Sequence, residues 1–243
     1  MQAIKVKIKQ QTATFRKPTA RVYQETYPLP PFSTVVGFLH KIAGFTTYHD
    51  MKLSVQGSFQ SKTIDLATQH FLTNSNTAKN NTTLFPAGGG VTKGIANIEL
   101  LVNLETIVHI VPEDTDDLQI IFDALKQPHV YPALGRYEDL AVLSDIEIVE
   151  LIEDELEEDR SNQYAAYIPK ELIDDIIGTK TTGPANIARN GTYFTIPKVY
   201  TADSPLSQRK WKESYDVVYT SNFTMFADEP ILVDPDGLPV FLV

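Results

Sequence analysis

The chain has 243 residues, 42% of them apolar, a formal net charge of −10 and no cysteine. That length suits one large domain, or a domain of about 150 residues with a smaller companion. The missing cysteines exclude disulfides, thiolate metal sites and cysteine nucleophiles.

In chain order, the first predicted strand is MQAIKVKIKQ, with Ile4, Val6 and Ile8 on one face and Lys5, Lys7 and Lys9 on the other. One face is expected to enter the core and the other to be cationic. A short basic loop follows, carrying Arg16, Lys17 and Arg21 beside Tyr23 and Tyr27, and Pro28, Pro30 and Pro31 stiffen the approach to a helix. Ser33 is read as the hydroxyl N-cap of a helix from about Thr34 to Ala43, with Val35, Phe38, Leu39 and Ile42 at helical spacing and Gly44 placed to end it. Unpaired N–H groups at a helix start favour anions, so three cations beside this one make phosphate a natural ligand; an ordinary charged loop ahead of a helix is the alternative.

Leu53, Val55 and Phe59 alternate as a second strand, and Ile98, Leu100, Val102, Leu104, Val108 and Ile110 as a long third. Between them lies an insertion of about residues 61–95, rich in Asn, Thr and Gly and almost free of acids. As an extended hairpin it presents Lys62, Lys79 and Lys93, with Phe71, Leu84 and Phe85 as apolar tips or anchors. Its Gly88, Gly89 and Gly90 allow either close backbone approach to a ligand or a hinge. Asp114 and Thr115 are expected to cap a second helix carrying Leu118, Ile121, Phe122 and Leu125, and Ile146, Ile148 and Ile152 suggest a fourth strand.

The order strand, helix, strand, strand, helix, strand is the ferredoxin-like or RNA-recognition β-α-β-β-α-β pattern, α+β in class. Two helices cover one sheet face and the other is expected to stay available. This domain spans residues 1–152. The acidic run EDELEEDR ends it, and a small β-rich appendage is expected over residues 160–243, closing on a hairpin around Asp236 and Gly237.

Residues 1–95 hold 11 Lys/Arg against 3 Asp/Glu, and residues 96–243 hold 10 against 28. Phosphate attraction is screened over roughly 8 Å, so local charge governs a nucleic-acid site and the net charge does not exclude one. The five histidines show no metal-ligand spacing, no phosphate-binding or dinucleotide fingerprint occurs, and no metal or cofactor is expected. His109 falls on the more polar strand face and reads as a hydrogen-bonded surface residue. In YPALGRYEDLAVL, Gly135 permits a tight turn that thrusts Arg136 forward, either toward a phosphate or protein or into a local pair with Glu138 or Asp139.

The combination of FRKP, TYPLPPFSTVVGFLHKIAG, MKLSVQG with a long insertion, and PALGRYEDLA resembles the CRISPR-associated "Cas five" family, of the RAMP superfamily of type I interference (Cascade) complexes. The resemblance covers about residues 1–150 and is closest to the I-B kind. It implies an RNA-recognition-like RAMP fold, a grip on the 5′ handle of the CRISPR RNA, packing against the backbone and large subunits, and only indirect contact with target DNA. It assigns the handle to Arg16, Lys17, Arg21, Tyr27, Ser33 and Thr34, the thumb to the insertion with Lys62, Lys79 and Lys93, and a nearby position to Arg136, leaving the acidic half to protein partners or solvent. One branch of the family cleaves precursor RNA without metal through Tyr, Lys and His. That branch's motif does not match here, so a non-catalytic RNA-binding role is expected. The alternatives are a metal-independent endoribonuclease using His109 or His49, and a protein adaptor without RNA affinity. No apolar run approaches the roughly 20 residues that span a bilayer, and the N-terminus lacks the apolar core of a secretion signal, so a cytoplasmic protein away from membranes is expected.

Overall fold

The structure, a computed structural model, describes residues 1–18, 23–73, 82–85, 89–155, 158–173, 191–201, 210–221, 223–225 and 230–243. In chain order its elements are β1 (Gln2–Ala13), β2 (Tyr23–Gln24), α1 (Phe32–Ala43), β3 (Met51–Ser58), β4 (Ser61–Thr73), β5 (Thr82–Leu84), β6 (Gly90–Pro112), α2 (Thr115–Lys126) and β7 (Val142–Glu150). There follow β8 (Ile152–Glu155), β9 (Arg160–Ser161), β10 (Ala165–Pro169), β11 (Thr192–Thr201), β12 (Lys210–Thr220), β13 (Thr224–Met225) and β14 (Pro230–Val233).

The central strands run β7-β1-β6-β3, each antiparallel to its neighbour. β1–α1–β3 and β6–α2–β7 therefore each step over one strand, which is the ferredoxin-like arrangement expected from the sequence. Ile4, Val6 and Ile8 of β1, Leu53 and Val55 of β3, and Leu104, Val108 and Ile110 of β6 form the sheet side of one core. Phe32, Val35, Phe38, Leu39 and Ile42 of α1 and Ile121 and Leu125 of α2 form the helix side. α2 starts as expected, with the Asp114 carboxylate accepting from the Asp116 N–H at 3.0 Å.

α1 departs from expectation at its start. The helix begins at Phe32, not Thr34, and Pro31 rather than Ser33 is its N-cap. Pro31 has extended backbone, and its carbonyl accepts the N–H groups of Thr34 and Val35. Phe32, fully buried, fixes the first turn into the core. The Ser33 hydroxyl is thus not a cap. At the other end Gly44 takes φ of 75° and closes the helix, as expected.

β3 and β4 lie end to end along one edge of the 23-residue β6. The insertion is accordingly an antiparallel hairpin, paired from Ser61↔Val102 to Thr73↔Gly90, and it continues the core sheet outward. Residues 61–72 contain no buried side chain.

β7 is the expected fourth strand, and it starts earlier, at Val142. Its register against β1 slips by one residue between Lys5 and Lys7, where Asp145 takes φ of 49°. Beyond the bulge, Ile146 packs on the helix-covered core and Ile148, opposite Ile4, lies on the same face at its exposed margin, whereas Val149 and Leu151 are buried on the other face and Ile152 is exposed.

The C-terminal region is β-rich, and its strands extend the same sheet. β10 pairs with the free edge of β3, and β12 and β11 follow outward. Tyr167 of β10 is fully buried beneath α1, where its hydroxyl donates to the Leu29 carbonyl at 2.7 Å and accepts the Leu29 N–H. The final segment crosses part of the second sheet face, so that face stays open only in part, toward Lys7 and Lys9, less than expected. Phe241 N–H donates to Ser54 Oγ, Gln56 Nε2 donates to the Pro239 carbonyl, and Val243 pairs with Leu53. Lys5 and His109 lie under it too. His109 is fully buried, not a surface residue, and both it and Lys5 reach Asp234, at 3.0 and 2.6 Å.

Candidate nucleic-acid interface

Three separate segments meet beside α1. Backbone pairing of residues 15–17 with 25–27 folds the basic loop back on itself: Arg16 bridges Thr26, Lys17 N–H donates to Glu25 and Tyr27 N–H to Phe15. Arg16 and Tyr27 thereby stand at the helix entrance. The loop after α2 supplies the second segment. Gly135, with φ of 109°, turns the chain so that Asp139 accepts from the Arg136 N–H at 2.9 Å and from the Arg136 side chain at 2.7 and 3.1 Å. The third segment is the hairpin of β11 and β12, bearing Tyr200 and Trp211.

Between them lies a groove of about 460 Å³, lined by Arg16, Tyr27, Ser33, Thr34 and Arg136 among others. It brings together five of the sequence-predicted residues. Gly37, Lys41, Tyr137, Tyr200 and Trp211 also line it and were missed. Lys41 had a signal, since it lies four residues beyond Gly37 on the helix face away from the apolar stripe. Tyr200 and Trp211 had none, because only the long-range sheet pairing carries them to the helix.

Among the described residues no Asp or Glu lines this groove, in a chain of net charge −10. Burial raises the Tyr27 hydroxyl above its ordinary range, so it stays a neutral donor. The charges nearby differ in availability. Arg136 is held by Asp139 and by Glu138 at 2.8 Å, the local pairing that the sequence had left open. Lys17 pairs with Glu25 at 3.0 Å and lies over the Phe194 ring, and it does not line the groove.

Lys62, Gly89 and Lys93 lie on the hairpin of β4 and β6 and are not brought to the groove. Lys62 reaches Glu99 at 3.4 Å; Lys93 is exposed opposite His70. Arg21, Lys79 and Gly88 lie outside the described residues. The basic excess of the first half is smaller in the folded chain than in the sequence. Lys5 meets Asp234 and Asp236, Lys7 meets Glu105 and Asp145, and Lys9 meets Glu105, so part of the acidic half faces these lysines rather than solvent.

The two histidines of the nuclease alternative are placed elsewhere. His109 is sealed beneath the final segment. His49 pairs with Asp117 at 2.8 Å in a surface hollow that also holds Asp50, Glu113 and Asp114. Four carboxylates there repel an RNA backbone. Among the described residues no group of three or more His, Asp or Glu side chains is placed to hold a metal ion, and no helix is long and apolar enough to cross a membrane.

A four-stranded antiparallel sheet crossed by two βαβ units, with a projecting hairpin, is a ferredoxin-like fold. A family model described as "CRISPR-associated protein (Cas_Cas5)" matches residues 3–177, and the chain belongs to that family. No curated protein matches the chain. Among solved structures, a chain of a "CRISPR RNA-guided surveillance complex" aligns over 97% of this chain and 92% of its own, at 14% identity and a TM-score of 0.56. A CRISPR protein from Archaeoglobus fulgidus aligns over 99% and 98%, at 12% identity and a TM-score of 0.48.

Proposed function

We propose that this protein is a non-catalytic, cytoplasmic RNA-binding subunit of a type I CRISPR interference complex. It holds the 5′ handle of the CRISPR RNA and caps the backbone beside the large subunit, meeting target DNA only indirectly. The observation that carries this is the groove itself: Arg16, Tyr27, Ser33 and Thr34, expected as handle contacts from the sequence, line one cavity with no Asp or Glu among its described lining residues. Membership of the family and the fold likeness to a surveillance-complex chain support a role within such an assembly.

Arg16, Lys41 and the positive end of the α1 dipole supply the phosphate contacts. Arg136 acts as a strut of the groove wall, its charge neutralised locally.

The test is binding of RNA carrying a repeat-derived 5′ end, against scrambled RNA of equal length, in EDTA. Preferential binding of intact RNA is expected. With about three phosphates contacted and a slope near −0.7 each for single strands, affinity falls about 20-fold between 50 and 200 mM salt. Site-specific cleavage makes the protein a nuclease, and affinity equal to that for scrambled RNA makes it an adaptor.

A further inference from the structure

Gly37 sits in the middle of α1 on the exposed face, in the floor of the groove. A glycine inside a helix is less stable than an alanine by about 1 kcal/mol, and it persists where something needs the space. Here no described part of the protein needs it: a Cβ added at Gly37 meets no atom of the described residues within 4 Å. The missing side chain leaves open volume in the cavity itself, which points to an external occupant.

The opposite wall shows what that occupant is. Tyr200 and Trp211 meet edge to face, with centroids 6.2 Å apart and planes at 88°, and are 45% and 48% exposed. Two perpendicular rings make a corner in which a flat π-system lies on one face while its edge meets the other. Tyr137, 89% exposed, stands on the neighbouring loop wall. Cations flank the corner, with Arg16 toward the helix start and Lys41 one turn beyond Gly37. A planar aromatic group carrying an anion on each side fits that order of features, and the cavity lies within the roughly 300–1,000 Å³ range of small-ligand sites.

We infer that the groove is a nucleobase pocket: one unstacked base of single-stranded RNA lies over Gly37 against Tyr200 and Trp211, with its flanking phosphates toward Arg16 and Lys41. This rests on the reading of the chain as an RNA-binding subunit, and it assigns that role's specificity to residues of α1, β11 and β12.

Trp211 is the chain's single tryptophan, so its emission reports the pocket directly. The full chain is titrated with a fluorescein-labelled 12-nucleotide single-stranded RNA of mixed sequence and with the same oligomer lacking its bases. Anisotropy of the label gives affinity, and tryptophan emission gives occupancy. Emission is expected to fall in step with RNA binding, and the abasic oligomer to bind at least tenfold more weakly. Trp211→Ala is expected to lose about tenfold or more and Trp211→Phe to keep most of the affinity, as for base–aromatic stacking. Gly37→Leu is the sharper variant, because open space and better helix propensity let it melt no lower than the parent, yet it fills the pocket and is expected to lose tenfold or more. RNA binding with unchanged emission, and with both Trp211→Ala and Gly37→Leu binding as the parent does, overturns the pocket and leaves the RNA-binding role standing. Failure of the parent chain to bind either this RNA or the repeat-derived RNA overturns both.

Discussion

Asp139 organises the groove wall from a fully buried side chain. Its carboxylate accepts from the Thr14 and Arg136 N–H groups and from the Arg136 guanidinium, while Gln10 Nε2 bonds its carbonyl. Removing the carboxylate leaves the Thr14 and Arg136 N–H groups without their acceptor, so Asp139→Ala is expected to cost about 2–3 kcal/mol in urea denaturation. A loss under about 1 kcal/mol shows the loop to be held some other way. A second carboxylate, Asp234, sets an acid limit. Burial alone raises its pKa, but hydrogen bonds from His109, Lys5 and the Leu238 N–H outweigh it and bring the carboxyl well below the ordinary range. A depressed folded-state pKa gives stability that is present above the unfolded value of about 4 and is lost as pH falls further. Asp234→Asn is therefore expected to be less stable at neutral pH and to have a shallower acid limb in denaturation measured from pH 5 down to 2. An unaltered acid limb assigns that sensitivity to other groups.

The hairpin of β4 and β6 projects from the sheet with Ile64, Leu66, Leu72 and Ile95 exposed. Because residues 61–72 bury no side chain, deleting residues 72–92 and joining the ends with a short Gly/Ser linker is expected to shift the Tm of the free protein by only a few degrees. Guide or target binding by the assembled complex is expected to weaken. Collapse of folding makes the hairpin part of the core, and normal target binding makes it a dispensable loop. This element was legible in the sequence because its composition changes sharply and β6 continues a strong alternating pattern. β1, β3 and the two helices were legible for the same local reason. The start of α1 was misread by two residues because Ser33 has the chemistry of a cap, whereas the buried Phe32 decides where the first turn sits. Four of the residues that line the groove, Arg16, Tyr27, Ser33 and Thr34, could be read from one stretch of chain. Tyr200 and Trp211 could not, since their nearness to α1 comes from sheet pairing across some 160 residues.

The chain that reads as two regions shares one core. Tyr167, Ile196, Val217 and Val243, all beyond residue 152, are buried with the helices and strands of the first region. Val240 packs with Ala3 on the reverse face. β10 covers the edge of β3, and the final segment supplies partners for Ser54, Gln56 and His109, which lie buried in mid-sheet. Removing residues 153–243 uncovers an edge and strands those polar groups. It also removes burial of at least five apolar side chains, at about 1.5–3 kcal/mol each, or roughly 10 kcal/mol. That equals the typical stability of a whole domain, about 5–15 kcal/mol. Residues 1–152 expressed alone are therefore expected to lack a cooperative melting transition, and the full chain to melt in one step with coincident far-ultraviolet and near-ultraviolet circular dichroism. A cooperative transition in the truncated chain shows the ferredoxin-like unit to be self-sufficient. In that event the groove's aromatic wall is a separate addition, and RNA affinity of the fragment measures what Arg16 and α1 contribute without it.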